Sequence, residues 1–108
     1  MSEALILAFK GVTPDQYKAV NTTLGIDPVT GEGDWPAGML SHTGAAAEGG
    51  GLMVMEVWDS KESQGAFMTS RLGPALGQNG LPEPTRVEWL SVRGAAHDHW
   101  RSAAAGRG

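Results

Sequence analysis

Residues 53–60 read MVMEVWDS, and the reading of this stretch decides the fold. Met53, Val54, Met55, Val57 and Trp58 place apolar side chains at both parities of an extended segment, so both faces of the strand need cover. Asp59 and Ser60 then turn the chain polar and end the run. Glu56 interrupts it, and a carboxylate at the centre of a buried strand needs a partner.

Working outward, the stretch belongs to the third of four strand-like segments, residues 52–58. Residues 3–10 (EALILAFK) form a short apolar run ended by Gly11, and the length favours a strand over a helix. Residues 37–43 (AGMLSHT) and 85–93 (TRVEWLSVR) predict the second and fourth strands. Between the first two, Thr13-Pro14-Asp15-Gln16 offers a capping hydroxyl, a proline at the first helical position and a glutamine three residues after the cap. Tyr17, Val20, Asn21 and Leu24 then line one helical face, with Gly25 placed to close it. A second start signal has Asp59 as cap and Glu62 three residues on, and its helix carries Ala66, Phe67 and Met68. Leu72-Gly73-Pro74 predicts a kink or break in it, with a short helical piece over 75–78. Residues 26–35 (IDPVTGEGDW) read as a surface loop, 44–51 as a small-residue connection, 82–84 as a turn and 94–108 as a tail.

The order is β-α-β-β-α-β, which makes residues 1–93 one α+β domain with a ferredoxin-like layer of four antiparallel strands. Helices cover one face of such a sheet. Because the first and third segments are apolar at both parities, the other face is expected to press against a second copy, giving a homodimer.

The chain has 108 residues, no cysteine and a net charge of -4, with a pI near 5.2. Disulfides and thiolate chemistry are excluded, and the charge gives no footprint for phosphates, so nucleic acid is not an expected partner. No stretch approaches the ~20 apolar residues of a membrane span, and the N-terminus lacks the pattern of a signal peptide. The expectation is a cytoplasmic protein whose partners are small molecules or other chains. Half of the 16 glycines fall between positions 25 and 51 without a period, which indicates loops and excludes a fibrous repeat.

The stretches GVTPDQYKAVN (11–21), GMLSHT (38–43), MEVWDSKE (55–62), RLGPAL (71–76) and PEPTRVEW (82–89) resemble the dimeric α+β barrel superfamily, and within it small proteins related to antibiotic biosynthesis monooxygenases. The superfamily also includes isomerases, polyketide cyclases and haem-degrading enzymes, and fold alone does not choose among them. The resemblance implies two ferredoxin-like subunits forming a barrel, with a ligand pocket in each between sheet and helices. It also implies that neither metal nor flavin is required, an electron-rich substrate anion itself reducing oxygen. The haem-degrading relatives use a histidine on the second helix, and residues 60–78 contain none.

Period-2 alternation puts Val54, Glu56 and Trp58 on one face of the third strand, and Leu40 and His42 on one face of the second. Register decides whether His42 and Glu56 share a face, and the sequence leaves it open. If they do, the pair supplies a base near neutral pH and a carboxylate to orient it, which suits proton abstraction from an acidic phenol or ketone. The alternative is a structural role, with Glu56 paired to an arginine such as Arg71 or Arg86. Tyr17, Asn21 and Arg71 are candidate polar groups of the pocket and Trp58 a candidate wall, beside Trp35 and Trp89. His97-Asp98-His99 gives two imidazoles where a zinc site needs at least three ligands, so no metal is expected. The function expected is a cofactor-independent, monooxygenase-like enzyme for a planar phenolic or polyketide-like molecule. The alternatives are an isomerase or cyclase of the same fold, or a binding or assembly domain.

Overall fold

In the computed structural model, which describes residues 2–95, the chain runs β1 (Glu3–Phe9), α1 (Pro14–Leu24), β2 (Met39–Ala46), β3 (Leu52–Trp58), α2 (Lys61–Phe67), a π-helical turn (Met68–Leu72), α3 (Gly73–Gln78) and β4 (Arg86–Ser91). The pattern His97-Asp98-His99 and most of the expected tail lie outside the described residues. α1 starts as its capping box predicts: Thr13 Oγ1 accepts the Gln16 N–H at 3.2 Å, and Gln16 Oε1 accepts the Thr13 N–H at 2.9 Å. Gly25 closes it at φ +75°, a left-handed conformation that glycine adopts without steric cost.

Four strands form one sheet in the order β2-β3-β1-β4, every neighbouring pair antiparallel, which is the ferredoxin-like α+β arrangement expected. Alternation then sorts the side chains. Leu5, Leu7 and Phe9 of β1 and Leu52, Val54 and Trp58 of β3 face the helical layer and join Val20, Leu24, Phe67, Leu72 and Ala75 in one core. Each such side chain contributes roughly 1.5–3 kcal/mol relative to exposure.

Three local expectations are corrected. β2 begins at Met39 and continues through Ala46, so Gly44 to Ala46 belong to the strand and pair with Val54, Met53 and Leu52 of β3. α2 is capped by Ser60, not Asp59: the Ser60 hydroxyl accepts the Ser63 N–H at 3.2 Å. The kink at Pro74 takes the form of a widened turn, in which the Gly73 N–H reaches back to Met68 O and the helical path continues into α3. A π-helical turn lets the chain pass a residue that lacks an N–H without ending the helix.

The opposite face of the sheet carries Ala4, Ile6, Ala8, Met53, Val57 and Leu90, with Met55 48 % exposed at its centre. It is an apolar surface with Arg86 and Glu88 ion-paired along the β4 edge. Among the described residues no helix is long and apolar enough to cross a membrane.

Candidate functional site

The strand register answers the question that alternation leaves open. His42 stands directly opposite Glu56 in the β2–β3 pair, so both side chains project to the helix-covered face. Nδ1 of His42 lies 2.9 Å from Oε2 of Glu56, with the two side chains 9 % and 4 % exposed. Two residues further along β3, and therefore on the same face, Trp58 donates its indole N–H to the other carboxylate oxygen, Oε1, at 3.0 Å. The second imidazole nitrogen, Nε2, is 2.6 Å from the hydroxyl of Tyr17 on α1. A continuous polar chain thus runs Tyr17–His42–Glu56–Trp58 through an otherwise apolar core, and each link removes an unpaired group that burial would penalise.

Partners assign the protons. The indole N–H of Trp58 can only donate, so Glu56 Oε1 accepts; Glu56 Oε2 is satisfied by an N–H at His42 Nδ1, which leaves Nε2 bare to accept the Tyr17 O–H. Burial raises the Tyr17 phenol above its ordinary value of 10.0, the Asn21 amide beside it opposes the shift, and the Glu56 charge adds to it. Tyr17 is therefore a neutral donor at neutral pH.

Backbone shape fixes the phenol in place. Gly44 lies on the same face of β2 as His42, and a Cβ there would fall 2.5 Å from Tyr17 Cζ and Oη. The Tyr17 and His42 rings are parallel within 1° at 6.0 Å between centroids, and the Trp35 ring lies 5.4 Å from the imidazole, tilted by 50°, its own N–H held by the carbonyls of Gly31 and Glu32.

A cavity of about 40 Å³ lies between sheet and helices, with Tyr17, Asn21, His42 and Glu56 in an otherwise apolar wall that includes Leu7 and Val54. That is room for about three waters, so a planar ligand requires side chains or a loop to shift. Asn21 is 5 % exposed, and among the described residues its Nδ2 has no hydrogen-bond partner, although the amide is near enough to influence Tyr17. Outside the cavity, a groove of about 350 Å³ between α1 and residues 26–29 shares Tyr17 and Asn21 with it. A second groove of about 290 Å³ reaches His42 past Trp35 and Ser41.

Of the six candidates, His42, Glu56, Tyr17 and Asn21 converge on the cavity. Trp58 does not form its wall: it is fully buried behind Glu56 and packs against Phe67 at 5.8 Å. Arg71 does not reach the cavity either. Its Nη2 donates to the carbonyls of Leu24 and Asp34 at 2.9 and 2.7 Å and lies 3.5 Å from the Asp34 carboxylate, which ties the loop before β2 to the helical layer. The arginine partners considered for Glu56 are thus engaged elsewhere, Arg86 with Glu88 and Arg71 with Asp34. Gly44 is the site residue that sequence reading passes over. Its signal was a glycine two positions after His42, where close approach of another side chain is a common reason for glycine in a strand.

No protein-family model matches the chain, and no curated protein matches it in sequence. Solved structures do match. A candidate antibiotic biosynthesis monooxygenase from Chloroflexus aurantiacus superposes with a TM-score of 0.62 at 20% identity, over 90% of this chain and 98% of the other. The monooxygenase ActVA-Orf6 of Streptomyces coelicolor, solved in complex with nanaomycin D, gives a TM-score of 0.55 at 22% identity over 89% and 90% of the two chains. SnoaB, a cofactor-independent oxygenase from Streptomyces nogalater, gives 0.58 at 11% identity over 87% and 94%. The resemblance read from the sequence holds at the level of the fold, across about nine-tenths of the chain.

Proposed function

We propose that the chain is a small homodimeric, cytoplasmic enzyme that removes a proton from an acidic hydroxyl or carbon acid of a planar phenolic or polyketide-like molecule, the anion then reacting with oxygen without an added cofactor. The observation that carries this reading is the buried Tyr17–His42–Glu56 chain opening on a cavity: an imidazole oriented by a carboxylate is a general base. The unpartnered Asn21 amide offers a hydrogen bond to the anion formed. Likeness of fold to a ligand-bound monooxygenase and to a cofactor-independent oxygenase supports the oxygenation step, and the apolar open face of the sheet supports the dimer. The same proton abstraction without oxygen would make an isomerase or cyclase.

A second reading has its own support in the small cavity: a core filled this closely suits a binding or assembly domain, in which Glu56 is merely satisfied. Oxygen uptake by the full chain with a panel of electron-rich phenols separates the readings. His42→Ala is expected to lower turnover by about 10²–10⁴-fold while the dimer persists. Turnover without oxygen uptake selects the isomerase or cyclase, and unchanged turnover in the variant removes His42 as the base.

A further inference from the structure

We propose that Tyr17, not His42, is the group that takes the proton from the ligand, and that His42 receives it only through the Tyr17 hydroxyl. The inference rests on the proton-abstraction reading above and names the atom at which it begins. Both imidazole nitrogens are occupied, Nδ1 by Glu56 at 2.9 Å and Nε2 by Tyr17 at 2.6 Å, so no ring nitrogen is open to a ligand. The groove that reaches His42 past Trp35 leads to a ring whose nitrogens both already have partners. Tyr17 stands differently. It lines both the inner cavity and the ligand-sized groove between α1 and residues 26–29, whereas His42 and Glu56 line only the cavity of these two. A ligand seated in that groove lies against Tyr17 and Asn21 and not against His42.

The direction of the chain gives the hydroxyl the correct polarity. With its proton directed to His42 Nε2, the phenol oxygen keeps lone-pair capacity to accept, the Asn21 amide being the other polar group beside it. The ligand's O–H or C–H proton passes to Tyr17 Oη as the phenol's own proton passes to Nε2. The ligand becomes an anion, His42 an imidazolium facing the Glu56 carboxylate, and no electron changes hands. The groups that face this relay are Glu56 from β3, the uncharged ring of Trp35 from the loop before β2, and Lys18 and Asp27 at the mouth of the groove. Gly44 holds the phenol at the distance the transfer requires, since any Cβ would displace it.

Tyr17 is the only tyrosine of the chain, so tyrosine labelled with ¹³C at Cζ gives one resonance from the full-length protein. His42→Ala is expected to move that resonance at constant pH, because the phenol loses the imidazole acceptor that stands 2.6 Å from it. A second measurement uses para-nitrophenol, whose ionised form absorbs in the visible, as the probe of proton loss. The wild-type protein is expected to raise the ionised fraction of bound probe about tenfold over Tyr17→Phe, both read at saturating probe. A Cζ resonance left in place by His42→Ala, or equal ionisation by the two proteins, overturns the proposal. If the probe binds to neither, the resonance alone decides. Loss of turnover in His42→Ala beside an unmoved resonance would overturn the relay and leave the functional reading standing.

Discussion

The two faces of the sheet are built from the same strands and similar apolar residues, yet they carry different duties. Beneath the helices lie the three buried polar side chains of the described residues, Asn21, Glu56 and Gln64, and the Tyr17–His42–Glu56–Trp58 chain. On the open face Met55, Ile6 and Val57 present apolar surface, and the charged groups keep to the edge as the Arg86–Glu88 pair. A polar group under the helices is stable only when its hydrogen bonds are complete, so a network there is constrained by the fold itself. An apolar group on the open face gains free energy when something covers it, so that face is the one on which the proposed dimer depends. Residue type alone does not separate the two roles. The face of its own strand on which a polar residue sits does.

Substituting one residue on each face tests this division. Glu56→Ala leaves the Trp58 and His42 N–H groups without acceptors and opens a void, and should cost about 3 kcal/mol in urea-induced unfolding. A loss below about 1 kcal/mol would mean that the covered network adds little to the fold. Met55→Lys, at the centre of the open face and adjacent in sequence, should leave secondary structure in place by circular dichroism. Its effect should appear in sedimentation, as a dimer dissociation constant raised by about 100-fold, or 2.7 kcal/mol. A Met55→Lys protein that sediments as the wild type does would remove the open face as the dimer interface.

The same division explains what the sequence made legible. Strand and helix positions came from local signals: the Thr13–Gln16 capping box, the i, i+3, i+4, i+7 face from Tyr17 to Leu24, and two-sided apolar character in residues 52–58. The covered partner of Glu56 was not local. It depends on β2–β3 register, which the hairpin across residues 47–51 sets, and a one-residue slip would turn His42 to the other face. The end of β2 was misread because Gly44 looks like loop chemistry, whereas its glycine is required by the Tyr17 ring. Arg71 illustrates a different limit. It lies in the π-helical turn, and its guanidinium ends on the carbonyls of Leu24 and Asp34 and not in the cavity, a long-range contact that no local pattern announces.

The smallest expected effect sharpens the comparison at alkaline pH. Burial under the helices, reinforced by the Glu56 charge, raises the Tyr17 phenol above the 10.0 of an unfolded chain, against the opposing Asn21 amide. The folded protein therefore keeps its proton where the unfolded chain has lost it, so this contribution to stability is whole below pH 10 and fades as pH rises through the raised folded-state value. Because Tyr17 is only partly buried, the slope should be shallow. Tyr17→Phe removes the ionisation and should flatten that limb of the stability–pH curve in urea titrations above pH 10, while Met55→Lys should leave the limb unchanged at matched concentrations of monomer. An equally steep limb in Tyr17→Phe would place the alkaline sensitivity elsewhere and break the link between the covered face and this titration.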